Sequence, residues 1–165
     1  MGEIKTYKVG DLVINFDRKR KPLSSRQREK MKGIYPYYGA ACIFDYINDY
    51  IFDGDYILLG EDGTVINADG TPILQRITGK TWVNNHAHVL RNSPIIDFDY
   101  LYYVLKNANF NGAVTGAVQP KISQANMNAV EVNIHVDINE QKKVASILKS
   151  LDDKIEHNNK INDNL

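Results

Sequence analysis

One cysteine, Cys42, stands among 165 residues, which leaves no disulfide framework and no thiolate cluster for zinc. Its setting, Ala40-Ala41-Cys42-Ile43-Phe44, predicts a buried thiol. No stretch approaches 18 consecutive apolar residues, and the start lacks an apolar signal-like run. The expectation is therefore no membrane partner and a cytoplasmic location. The sequence has no Gly-x-Gly-x-x-Gly, no Gly-x-x-x-x-Gly-Lys-Ser/Thr and no Gly-x-Ser-x-Gly. It also lacks the Asp-rich run closed by Glu that defines an EF-hand. No catalytic constellation survives these exclusions, so the chain is expected to be no enzyme and to hold no metal or cofactor of its own.

What is present is charge kept apart. Lys and Arg number 20, as do Asp and Glu, yet the signs are poorly mixed. Residues 18–32 hold Arg18, Lys19, Arg20, Lys21, Arg26, Arg28, Lys30 and Lys32 against Glu29 alone. From Gly33 to Gln75 there is no Lys or Arg, and there are seven acids. A basic segment on an acidic body suits a polyanion-facing edge, while a solvated charged face explains the same pattern.

The apolar fraction of 43% and ten Tyr fit a globular body of one domain. Tyr7–Ile14 reads as a short strand around a turn. Ser24 with Gln27 forms a capping box for a short helix ending before Gly33. Tyr35-Pro36-Tyr37-Tyr38-Gly39 is predicted as a loop. Close-spaced strands with turns at Gly60–Gly63, Asp69-Gly70 and Gly79-Lys80 follow, including one continuous strand from Trp82 to Arg91. A helix over Phe98–Ala108 takes Asp97 or Asp99 as its cap. Ser123 caps a single turn, and Ala129–Val136 is the last strand. The order predicts an α+β fold: a twisted, mostly antiparallel sheet with a few short helices, then one long C-terminal helix.

In Trp82-Val83-Asn84-Asn85-His86-Ala87-His88-Val89, strand alternation puts Trp82, Asn84, His86 and His88 on one face. Two His at this spacing could ligate zinc, but no further ligands accompany them. Polar groups arrayed for recognition fit better, since Asn pairs with adenine edges. Asp137, Glu140 and Lys142 echo a nuclease's Asp…Glu-x-Lys, yet a position at a helix start explains them as capping.

From Asp137 to Leu165 there is no Gly and no Pro. Val144, Leu148, Leu151 and Ile155 draw one apolar stripe along a helix, with Asn158, Asn162 and Leu165 continuing the seam. Asp137 and Glu140 read as a capping box at its start. About 26 residues make a rod of roughly 40 Å. Such a stripe either packs on its own domain or pairs with a second helix.

Several segments together resemble one half of the specificity (S) subunit of type I restriction–modification systems. They are Lys8-Val9-Gly10-Asp11-Leu12, Tyr35-Pro36-Tyr37-Tyr38-Gly39-Ala40, Asp53–Leu58, Gly60–Gly63, Gly79–Val89, Gln119-Pro120-Lys121-Ile122 and Glu140–Leu148 with Leu151–Ile155. The prolines that often precede the Glu-Gln pair in the family are absent.

The resemblance implies a non-catalytic target-recognition domain over residues 1–136 and a spacer helix over 137–165. It implies double-stranded DNA, a methylation (M) subunit and a restriction (R) subunit as partners. S-adenosylmethionine, Mg²⁺ and ATP would then sit on those subunits. A half-length subunit would pair as a homodimer through Val144, Leu148, Leu151, Ile155, Asn158, Asn162 and Leu165; a fragment of a two-domain subunit is the alternative. Phosphate contacts are expected from the basic segment, with Arg18, Lys19, Arg20, Lys21, Arg26 and Arg28, and Lys80 is expected among the DNA-binding residues. Base reading is expected from Tyr37, Tyr38, Asn84, Asn85, His86, His88, Gln119 and Lys121; Tyr packing in the core and Asn84–His88 holding the fold are the alternatives. An autonomous DNA-binding regulator and a metal-dependent DNA nuclease are the competing functions.

Overall fold

The computed structural model describes residues 2–164. The chain opens with β1 (Ile4–Lys8), one helical turn α1 (Val9–Leu12) and β2 (Val13–Asn15). A 3-10 turn over Asp17–Lys19 leads to α2 (Ser25–Lys30), β3 (Lys32–Tyr38), β4 (Ile43–Ile47) and β5 (Phe52–Asp53). The middle holds β6 (Tyr56–Gly60), β7 (Leu74–Ile77), β8 (Lys80–Val83) and β9 (Ala87–Asn92). Then come α3 (Phe98–Lys106), β10 (Val114–Thr115), β11 (Lys121–Ile122), α4 (Gln124–Ala129), β12 (Glu131–His135) and α5 (Ile138–Asp163).

Two four-stranded sheets carry the body, in the orders β2-β9-β6-β7 and β4-β3-β8-β5. Pairing is antiparallel except between β3 and β8, so the mostly antiparallel α+β expectation holds. Tyr56–Gly60 is buried along its whole length because β6 lies between β7 and β9 with covered faces. The main core packs Ile57, Leu59 and Leu90 against Leu101 and Leu105 of α3, together with Phe110 and Ile134. No helix among the described residues is long and apolar enough to cross a membrane.

Local chemistry explains the short elements. Ser24 and Gln27 form the expected reciprocal capping box on α2. Asp97 caps α3 through the Tyr100 N–H, and Ser123 caps α4 through the Asn126 N–H.

Four expectations need correction. Tyr35–Gly39 is not a loop: Tyr35–Tyr38 lie in β3, where Pro36 precedes the start of pairing to β8 at Tyr37, so its missing N–H costs that ladder nothing. Trp82–Arg91 is two strands in different sheets, because Asn84 turns the chain: its Oδ1 accepts from the His86 N–H at 2.8 Å. Cys42 is exposed, since a turn closed by the Gly39 N–H on the Cys42 carbonyl (2.9 Å) carries it outward. The turn expected within Tyr7–Ile14 is present, as α1 between β1 and β2. Asp137 caps α5 alone, through the Asn139 N–H, while the Glu140 carboxylate takes the Lys143 ammonium instead.

The long helix divides into two parts. Gln141 and Ala145 are buried, and Val144 and Leu148 pack against the main core. Gln141 is the root anchor: its Oε1 accepts from the Asp97 N–H at 2.8 Å, and its Nε2 donates to the carbonyls of His135 (2.7 Å) and Ile95 (3.2 Å). Asp152 accepts from the Tyr103 hydroxyl at 3.0 Å. Burial, together with that contact, pushes the Tyr103 phenol up to about 12. Past Asp152 every described residue is exposed. Eleven residues, about 16 Å of helix, extend from there to Asp163. Leu151 and Ile155 are exposed, as are Asn158 and Asn162, while Leu165 lies outside the described residues.

Candidate nucleic-acid interface

The basic segment and three loops meet where β6 ends and β9 begins. Backbone hydrogen bonds stitch the loops: Glu61 N–H to the His86 carbonyl (2.8 Å), Ile122 N–H to Glu61 (2.8 Å) and Gly63 N–H to Pro120 (3.0 Å). Thus the 61–63 turn, the 84–86 turn and the 116–121 hairpin loop share one frame.

A polar hub ties the basic segment to that frame. Arg20 Nη1 donates to Glu61 Oε2 at 2.5 Å and to the Ala87 carbonyl at 2.8 Å, and its Nη2 lies 3.5 Å from Asp17 Oδ2. His88 lies within this group. Its Nδ1 is 2.6 Å from Asp17 Oδ2 and its Nε2 is 2.8 Å from the Ile122 carbonyl. Both ring nitrogens therefore face acceptors, which favours the doubly protonated cation. Burial pushes the His88 imidazole down, but the bonds to Asp17 and to the Ile122 carbonyl outweigh it, and the net shift is upward. For Asp17 burial pushes upward, and the His88 and Val89 N–H bonds bring the net shift down. Two cations thereby balance two carboxylates, with Lys121 a further 3.5 Å from Glu61.

Asp17, Glu61 and His88 are also a grouping of metal-ligand type, their donor atoms lying within 4.8 Å of one another. The donor set does not fit a divalent ion. Both His88 nitrogens are committed, and the Arg20 guanidinium already supplies the positive charge between the carboxylates.

The residues expected from sequence separate by burial. Arg18, Lys19, Lys21, Arg26, Asn85, His86, Gln119 and Lys121 are exposed. Arg20 belongs to the hub, and Arg28 is held by Asp45 Oδ2 (3.3 Å) and the Leu23 carbonyl (2.6 Å). Tyr37 is buried, its hydroxyl accepting from the Leu23 N–H at 2.9 Å, while Tyr38 is half-buried. Asn84 and His88 are buried framework residues. Lys80 is exposed over the Tyr50 ring, at the opposite end of β8 from Asn84.

Sequence reasoning missed Asp17, the roles of Glu61 and Asp62 beyond their turn, and the exposed strand β4. Phe44 and Tyr46 are 61% and 50% exposed, on a strand whose Ile47 supplies the core. The available signal was aromatic residues on the strand face that Ile47 does not occupy.

The description "Type I restriction modification DNA specificity domain" matches residues 1–165. The chain belongs to this family. A type I restriction enzyme specificity subunit of Haemophilus influenzae is 32% identical over 146 residues, covering 88% of this chain and 37% of that protein. The EcoprrI specificity subunit of Escherichia coli is 25% identical over 126 residues, 76% of this chain and 30% of that protein. The crystal structure of a type I S subunit from M. genitalium superposes with a TM-score of 0.76 at 16% identity, covering 94% of this chain and 41% of that one. The HsdS subunit of Thermoanaerobacter tengcongensis gives 0.53 at 11% identity, covering 93% and 38%. This specificity domain thus spans well under half the length of the relatives it matches.

Proposed function

We propose that this specificity domain reads duplex DNA as the recognition component of a type I restriction–modification assembly, with no catalytic chemistry of its own. The observation that carries the reading is the four-part face, where exposed cations and hydrogen-bonding side chains stand on one shared frame. Arg18, Lys19, Lys21 and Arg26 take phosphates, giving affinity that falls with salt. Asn85, His86, Gln119 and Lys121 read base edges. The M subunit brings S-adenosylmethionine, and the R subunit brings ATP and Mg²⁺. The exposed distal part of α5 supports pairing of two copies, which would present two equivalent faces to a split, inverted site.

The test is methylation of a random-sequence duplex library by this chain assembled with the M subunit of its system. Methyl groups confined to one split sequence are expected. Methylation without sequence preference overturns the reading. Cleavage of DNA by the chain alone with Mg²⁺ or Mn²⁺ would make it a nuclease. Tight specific binding with no requirement for an M subunit would make it a regulator.

A further inference from the structure

At the rim of this face lies a shallow cleft of about 270 Å³ whose walls include Ala41, Cys42, Phe44, Thr64 and His86. Its exposed lining is mainly apolar, unlike the cationic surface beside it. Two features show that it is built. The Phe44 ring lies against Gly39, where a Cβ would come within 2.4 Å of ring carbons, and Gln75 Nε2 holds the Gly39 carbonyl at 3.0 Å. The His86 ring is oriented by Asp62, whose Oδ1 lies 2.5 Å from Nδ1. In the tautomer whose Nδ1–H donates to that carboxylate, Nε2 carries the lone pair and can accept. The Thr64 hydroxyl can donate.

An acceptor, a donor and an apolar wall therefore stand together on a surface continuous with the cationic loops. In the major groove an A·T pair shows the complementary set: the adenine N6 donor, the thymine O4 acceptor and the thymine methyl group. A C·G pair shows a donor and acceptors with no methyl group. We infer that this cleft reads one A·T pair of the target, its apolar wall taking the thymine methyl and His86 Nε2 accepting from adenine N6. The inference rests on the DNA-reading function proposed above and names the base pair that one part of that face selects.

The test uses the chain assembled with its M subunit and the duplex that the library selects. Each thymine is replaced in turn by uracil, which removes only the methyl group. One position is expected to lose about fourfold in affinity, the value of one buried methyl. In Phe44→Ala that single uracil penalty is expected to vanish, and in His86→Ala selection at the same pair is expected to relax. Circular dichroism and the salt dependence of binding should stay those of the wild type in both variants. The inference is overturned by a selected site without A·T pairs, by uracil tolerated everywhere, or by a penalty that persists in Phe44→Ala. A wild-type assembly that selects no sequence at all would instead remove the underlying function.

Discussion

The backbone N–H of Asp97, which caps α3, donates to Oε1 of Gln141 on α5 at 2.8 Å. One buried amide thereby fixes where the long helix leaves the body, since its Nε2 also holds the carbonyls on both sides of that junction. Gln141→Leu keeps the bulk and orphans a buried donor and two acceptors. It is expected to destabilise by about 3 kcal/mol in urea unfolding. Gln141→Glu keeps the acceptor for Asp97 but sets a buried carboxylate oxygen against both carbonyls, and is expected to cost at least as much.

The hub predicts a pH-dependent stability. The folded-state pKa of His88 is raised above 6.5, so its contribution is complete below 6.5 and is lost as pH rises through the folded value. Asp17 is lowered below 3.8, so its contribution is present above 3.8 and is lost as pH falls through its folded value. The pair is strongest between those limits. His88→Ala should cost about 3 kcal/mol near pH 6 and clearly less near pH 9. Urea titrations of both proteins at the two pH values check this; an equal cost at both would remove the ionised pair.

Exposed and hub cations should behave differently. Replacing Arg18, Lys19, Lys21 and Arg26 together by Ala should leave folding intact, weaken all duplexes alike and flatten the dependence of affinity on salt. Arg20→Ala should lower thermal stability, because it leaves Asp17 and Glu61 without their guanidinium. Filter binding at several salt concentrations, with thermal melts, separates the two classes. An unchanged salt slope in the quadruple variant would take that segment off the DNA.

Leu151→Asp with Ile155→Asp should yield monomers by light scattering while thermal stability of the body is retained, because both side chains are exposed. A dimer surviving the pair of charges would move the contact elsewhere.

Much of the fold was legible in local signals. The Ser24 and Ser123 caps, the helix opening after Asp97 and the Gly-free, Pro-free tail each depend on neighbours within a few residues. The errors came where distant partners decide. Local signals place Tyr37 in a loop, but β8 and the Leu23 N–H recruit it inward. Asn84 and His88 looked like readers because alternation assumed an unbroken strand, and only the Asn84 turn reveals them as framework. Val144 and Leu148 share a stripe with Leu151 and Ile155, yet α3 and β12 end partway along it, so one heptad pattern serves two environments. Periodicity reports a stripe and cannot say what covers it.

The hub of Asp17, Arg20, Glu61 and His88 closes its charge balance within itself. Arg18, Lys19, Lys21 and Arg26 take no part in its ion pairs, so they can be exchanged without leaving an uncompensated ion beneath them. A surface mounted in this way separates what must stay constant for folding from what can drift.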